Sequence, residues 1–426
     1  MKILIKNGRV IDPVNSLDDI RDILVEEGRI SKVAKDIRAD ADEVIDARGK
    51  IITPGLIDMH VHLREPGRED KETVLSGTKA ALRGGFTTVL AMPNTQPAID
   101  SAENVKLLKA IIKDTACVNV LIAAAITRGR MGEEITDIAR LKKEGAAAVS
   151  DDGSSVESRE ILLKAMKKAK EAKVLVICHS EDKALSASGV VNQGAISTRL
   201  GLKGISDESE YKRVQRDIQL AEKTKCPVHI AHVSCAESVE IIAKAKKKGV
   251  KVSAETCPHY FTLTEESVLD YNTNMKMNPP LRSRQDLEAI RQGLKKGVID
   301  VISSDHAPHT VSEKEIEFDR AEFGVIGLET ELAVAITELL AKGALDWTEL
   351  VGKMSVNPAR ILGIDKGSLT PGKAADIVVI DPAKEWTVEK SKFVSKSKNS
   401  PFIGMRLKGV VEYTICAGKI AYKAGP

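Results

Sequence analysis

Short apolar runs broken at glycine and aspartate open the chain. KILIKNGRVID, DILVEEGRISKVA and DEVIDARGKIIT, all within residues 1–52, have the texture of short β-strands. From residue 53 to about 365 the pattern changes, and apolar runs alternate with longer charged segments of helical period. The predicted strands are GLIDMHV (55–61), FTTVLAM (86–92), VNVLIAA (118–124), AAAVSDD (146–152), VLVICHS (174–180), VHIAHVS (228–234), VSAETCP (252–258) and DVISSDH (300–306). Amphipathic segments such as SRQDLEAIRQGLKK (283–296) separate or follow them. Eight strands alternating with helices predict an α/β fold, a (β/α)8 TIM barrel, over an open doubly wound sheet, because eight is the number that closes. Residues 366–426 return to short strands, among them ADIVVIDP and EYTICAGKIAYK. They match the first zone in texture. The expected organisation is therefore a small composite β-sandwich domain from 1–52 plus 366–426, and a catalytic barrel from 53–365.

Length agrees with this reading: 426 residues accommodate a barrel of roughly 250 residues and a second unit. A hydrophobic share of 42% and a charged share of 29% suit a soluble chain with a large core. The net charge of +3 gives no reason to invoke nucleic acid or a membrane surface. No apolar run approaches the roughly 20 residues of a membrane helix, and MKILIKNGRVID reads as a strand rather than a signal peptide. Cys117, Cys178, Cys226, Cys235, Cys257 and Cys416 are scattered, as expected for reduced thiols of a cytoplasmic protein. Aromatics at 3% beside abundant Lys, Glu and Ile lean towards a thermophile.

Chemistry collects where a barrel keeps it, at the C-terminal ends of the strands. His60 and His62 end the first strand, and period-two alternation points both the same way. Asp151 and Asp152 end the fourth, His179 the fifth, His232 the sixth and Asp305 the eighth. One histidine at a strand end is usually a satisfied polar group; six such groups at one end of one barrel are not explained that way. Imidazole and carboxylate suit Zn²⁺. Six ligands exceed the needs of one catalytic zinc but fit two metals roughly 3.5–4 Å apart, with a bridging hydroxide as nucleophile. Parity separates His232 from His229, three residues earlier and read as structural, and turns Cys178 away from His179 into packing. It admits only one of Asp151 and Asp152 without saying which. His259 is left outside the site, and His306 divides evenly between supporting and structural roles. Arg64, two residues after His62, offers a fork for a carboxylate.

At this point GLIDMHVHLREPG (55–67), AMPNTQP (91–97), DDG (151–153), HSED (179–182), AHVS (231–234), MNPPLR (277–282), DHAPH (305–309) and SVNPARILG (355–363) resemble the amidohydrolase superfamily, and within it the long-form (class I) dihydroorotases. The resemblance runs through the whole chain. It implies a distorted barrel with a binuclear zinc site that interconverts N-carbamoyl-L-aspartate and (S)-dihydroorotate, the ring-closing step of pyrimidine biosynthesis. Carried over, it gives His60, His62, His179, His232 and Asp305 as metal ligands. Many superfamily members bridge their metals with a carboxylated lysine on the fourth strand. AVSDDG has none, and the resemblance puts Asp152 in its place. This shorter carboxylate is expected to hold the second zinc less tightly. For the substrate, the resemblance assigns the α-carboxylate to Arg64, Asn94 and His309 beside the metal ligand His62, and the ring amide to Asn278 and the backbone of Phe323 and Gly324.

The expected mechanism is attack of the metal-bridged hydroxide on the ring carbonyl, with Asp305 taking the proton and passing it to the departing nitrogen. The polar segment 309–324 is a candidate lid. Two other readings compete. A hydantoinase or allantoinase would act on related cyclic amides, but Arg64 speaks for a substrate with a ring carboxylate. A catalytically silent scaffold for aspartate transcarbamoylase would be expected to have lost metal ligands. The resemblance also implies a homo-oligomer and an association with that transcarbamoylase.

Overall fold

The computed structural model describes residues 1–425. The strands are β1 (Ile3–Asp12), β2 (Leu17–Glu26), β3 (Arg29–Ala34), β4 (Glu43–Asp46), β5 (Ile51–Pro54), β6 (Leu56–Val61), β7 (Phe86–Ala91), β8 (Asn119–Ala124), β9 (Ala146–Val149), β10 (Leu175–Cys178), β11 (Val191–Asn192), β12 (Gly204–Ile205), β13 (Val228–Ile230), β14 (Val252–Thr256), β15 (Val301–Ile302), β16 (Ile377–Thr387), β17 (Arg406–Cys416) and β18 (Lys419–Lys423).

Two sheets organise them. The parallel one runs β15-β14-β13-β10-β9-β8-β7-β6, so all eight predicted barrel strands form, in sequence order. Its ends meet through one bridge from Val61 to His306, where His62 N donates to the His306 carbonyl at 2.9 Å. A barrel whose last strand has only two residues shuts by that contact, and this is its distortion. β6 and β7 are buried along their whole length, as parallel strands covered on both faces must be. Helices such as Val74–Gly84, Arg159–Glu171 and Glu208–Thr224 pack outside. The first starts at Thr73, whose hydroxyl accepts from Ser76 N, and stops at Gly85 in the left-handed region.

The second sheet joins both ends of the chain in the order β18-β17-β16-β5-β1-β2-β3, with β4 on β1. The seam between the termini is β5 against β16, Thr53 facing Val378. Ile30 exchanges backbone hydrogen bonds with Gly372 and Lys373, so the sheet curls back over its own core of Ile3, Ile5, Val10, Ile23, Ile52, Ile377 and Ile415.

Inside the barrel an apolar patch of Leu90, Met92, Ala123, Ala148, Ile177 and Ala231 occupies one side. The other side is polar, with Asp58, His229, Glu255 and Ser303 all buried. Among the described residues no helix is long and apolar enough to cross a membrane.

Candidate active site

Most strands stop earlier than the sequence suggests. β9 ends at Val149, β13 at Ile230 and β15 at Ile302, so Asp152, His232 and Asp305 project from the loops beyond. His232 (φ 35), Asp305 (φ 47) and Arg64 (φ 62) take left-handed backbone, a conformation non-glycine residues adopt only where surrounding structure imposes it. The turn at His232 also revises the parity argument. His229 does not face away from the barrel interior. It lies inside, with Nε2 3.1 Å from Glu255 Oε2 and Nδ1 2.8 Å from Ser253 Oγ. The left-handed residue, rather than alternation, is what sends His232 up to the site.

Six side chains converge, all buried. Asp152 Oδ2 lies 3.2 Å from His60 Nε2 and 3.4 Å from His62 Nε2, while its Oδ1 lies 3.4 Å from both His179 Nδ1 and His232 Nε2. Asp305 Oδ1 completes the first group, 3.2 Å from His62 Nε2 and 3.6 Å from His60 Nε2. The carboxylate of Asp152 thus sits between two nests. Asp151 is not there: its oxygens accept from Ile126 N, Thr127 N and the Thr127 hydroxyl, tying down the neighbouring loop.

The far edges of three rings are fixed. His60 Nδ1 meets Glu255 Oε1 at 2.6 Å, His62 Nδ1 meets Asn94 Oδ1 at 2.7 Å, and His179 Nε2 meets Glu181 Oε2 at 3.3 Å. Those oxygens can only accept, so each outer nitrogen carries the proton and each inner nitrogen presents a lone pair. Lone pairs of His60 and His62 then face carboxylate oxygens, and buried His60 Nε2 and Asp152 Oδ1 have no hydrogen-bond partner. Such a centre needs positive charge. Burial opposes a charge on His60, yet Asp152, Glu255 and Asp305 push its pKa well above the ordinary imidazole value. Burial likewise opposes ionisation of Asp152, and His60, His179 and His232 hold it well below the usual carboxylate range. A divalent cation fits this donor set in place of those protons. His60, Asp152 and His232, and again His60, His62 and Asp305, each bring ligand atoms within 4.8 Å of one another.

Above the cluster a cavity of about 360 Å³ is lined by His62, Arg64, Arg68, Lys71, Asn94, Arg130, Asp152, Gly153, His179, His232, Asn278, Asp305, Ala307, His309, Glu322, Phe323 and Gly324. Every residue assigned to substrate is therefore on one wall or another. Arg64 Nε donates to the Pro308 carbonyl at 3.1 Å and its Nη2 lies 3.3 Å from His309 Nε2. Burial lowers its pKa to about 10. His309, buried beside Arg64, Lys71 and Lys314, is depressed to about 2, which makes it a neutral ring. Gly324 has φ +130, and a Cβ there would come within 2.8 Å of Ala307 Cβ and 3.1 Å of His309 Nε2.

The segment 309–324 is less free than its polar sequence suggests. Phe318 is buried, Lys314 Nζ donates to the carbonyls of Lys276, Glu322 and Gly324, and Lys276 Nζ to those of Phe318 and Asp319. His306 belongs to the barrel seam, with Nδ1 accepting from Gly327 N and Nε2 3.3 Å from Glu72. His259 is buried against Tyr260. Its own burial lowers its pKa to about 4.

Sequence reasoning missed Glu255, Glu181, Lys71 and Arg130. Glu255 had a signal: a glutamate inside the apolar strand VSAETCP is a buried charge that needs a partner. We expect Glu255→Gln to weaken metal binding about 10–100-fold without unfolding the chain, measured by competition with a chromophoric chelator; unchanged affinity would remove Glu255 from the site.

Comparison with known proteins gives the following. The Dihydro-orotase-like family matches residues 49–238, and the Amidohydrolase family matches 275–422. The dihydroorotase of Elusimicrobium minutum is 54% identical over 425 residues, covering 100% of this chain and 98% of that protein. The dihydroorotase of Geobacter metallireducens is 50% identical, covering 99% and 100%. Among solved structures, the L-hydantoinase (dihydropyrimidinase) of Arthrobacter aurescens superposes with a TM-score of 0.90 at 26% identity, covering 100% of this chain and 96% of that one.

Proposed function

Since the chain belongs to the dihydroorotase family of amidohydrolases, we propose that it interconverts N-carbamoyl-L-aspartate and (S)-dihydroorotate with Asp305 as acid and base. The observation that carries this reading is the juxtaposition of the six-residue His/Asp cluster with the half-buried guanidinium of Arg64, which pairs with no carboxylate among the described residues. A cluster alone suits any cyclic amidase; the unpaired cation beside it asks for a substrate carboxylate.

In this reading His60, His62 and Asp305 would hold one zinc and His179 and His232 a second, with the Asp152 carboxylate lying between the two groups. When bound, zinc supplies a Lewis acid towards the ring carbonyl and lowers the pKa of water. The chain's residues do the rest. Arg64, Asn94 Nδ2 and His309 take the α-carboxylate, and Asn278 with the backbone at Phe323 and Gly324 takes the ring amide. Asp305 Oδ receives the proton of the attacking water and returns it to the ring nitrogen as the amide bond breaks. Ring closure runs the same steps backwards: the carbamoyl nitrogen attacks the side-chain carboxyl, gives its proton to Asp305, and water leaves.

The hydantoinase reading shares the fold, but the sequence stands much nearer to dihydroorotases, 54% against 26%. The purified chain, assayed with dihydroorotate and with hydantoin, tests the proposal: turnover of dihydroorotate is expected, and turnover of hydantoin alone would overturn it. Arg64→Ala is expected to cost about 100-fold in kcat/KM for dihydroorotate, the loss of a charge-assisted bidentate contact; an unchanged value would remove Arg64 from the carboxylate. Assembly into a homo-oligomer and association with aspartate transcarbamoylase belong to the same reading, and light scattering of the chain alone and mixed with that enzyme tests them. All six cysteines are free thiols, which supports the reducing cytoplasm as its location.

A further inference from the structure

The cavity wall holds four guanidinium or ammonium groups near its rim, and they divide into two kinds. Arg68 pairs with Asp70 and Glu313, and Lys71 pairs with Glu313. Arg64 and Arg130 pair with no carboxylate among the described residues and are held by backbone carbonyls, Arg64 by Pro308 and Arg130 by Asp152, where Nη1 donates at 2.6 Å. The buried Nε of Arg130 has no partner at all. Burial lowers the Arg130 pKa, with Asp152 and Asp151 only partly opposing it. Gly129 (φ 57) and Arg130 (φ 59) both adopt left-handed backbone in the turn that carries this side chain. An arginine partly withdrawn from water, with its Nε buried and no counter-ion, on a strained turn, is costly unless an anion arrives.

Gly153 shows that two donors of this wall approach the same place. A Cβ at this residue would lie 3.3 Å from Asn94 Nδ2 and 3.4 Å from Arg130 Nη1, so both donors flank Gly153, and all three residues line the cavity. Asn94 Oδ1 is engaged by His62 Nδ1, which leaves Nδ2 free to donate. A substrate oxygen in the cavity over Gly153 is offered both donors.

We propose that Arg130 is a further specificity-determining residue, which together with Asn94 Nδ2 grips the substrate's α-carboxylate from the Asp152 side as Arg64 does from the Pro308 side. This rests on the dihydroorotase reading. An uncharged cyclic amide gains nothing from Arg130, so the second cation widens the preference for carboxylated rings.

The test compares wild type, Arg130→Leu and Arg130→Lys, all with metal content measured. Calorimetric binding is read with orotate and with uracil, planar rings with and without the carboxylate, beside steady-state kinetics with dihydroorotate. Arg130→Leu is expected to weaken orotate binding and raise KM for dihydroorotate by about ten- to a hundredfold. Uracil affinity and metal content should hold, with Arg130→Lys in between. Equal weakening of orotate and uracil, or a fall in metal content together with kcat, would overturn the proposal and make Arg130 a prop for the Asp152 loop. No change in orotate binding would overturn it too. A wild type that fails to turn over dihydroorotate would refute the function instead, and the orotate-against-uracil comparison would still decide the role of Arg130.

Discussion

Asp305→Asn is expected to lose at least about 10³-fold in kcat while keeping the fold. The amide has nearly the shape of the carboxylate, but it cannot take a proton from water and return it to the ring nitrogen, and it binds a cation weakly. The fold should survive for a local reason. Asp305 sits at φ 47, and asparagine tolerates left-handed backbone better than most residues. Its contacts inside the cluster are His62 Nε2 at 3.2 Å and His60 Nε2 at 3.6 Å; the barrel bridge next to it runs through His306 and does not use the side chain. Thermal unfolding within a few degrees of wild type, with turnover near zero, is the expected pair of results. Retention of a tenth of the activity would show that Asp305 is not the proton carrier.

Metal removal should have an effect at least as large. Dialysis against a strong chelator is expected to abolish dihydroorotate turnover, and added Zn²⁺ to restore it. Asp152→Asn should lower the measured metal content per chain, because both nests lose the charge of the carboxylate they share. The variant also leaves His60, His179 and His232 without the carboxylate that compensates them, so activity should fall with the metal. Full activity of the chelated protein would sink the metal reading altogether, and unchanged stoichiometry in Asp152→Asn would show that this aspartate does not bridge.

What could be read from the chain beforehand followed from periodicity. All eight barrel strands were legible because each is an apolar run long enough to stand out, and His60 and His62 were placed together because both lie at or beside the end of a regular strand, β6. Alternation lost its authority where strands stop. At His232 a left-handed residue beyond β13 reverses the side chain, and parity alone would have misplaced His229. The choice between Asp151 and Asp152 depended on a loop: the amides of Ile126 and Thr127 capture Asp151, and those lie 24 and more residues away in sequence. Lys71 was hidden in GREDKET, a stretch that reads as exposed charge, and Arg130 in TRGRMGEE for the same reason. Nothing local distinguishes a solvated cation from one folded into a wall.

The two nests also differ in where they stand relative to the barrel's closure. His179 and His232 extend from β10 and β13, adjacent strands in the middle of the sheet, with Asp152 next to them beyond β9. His60 and His62 come from β6 and Asp305 from beyond β15, the two edges that meet only through the Val61–His306 bridge. A cation held by these three side chains would therefore tie the two edges of the sheet to each other, adding a side-chain link beside the single backbone bridge that closes the ring.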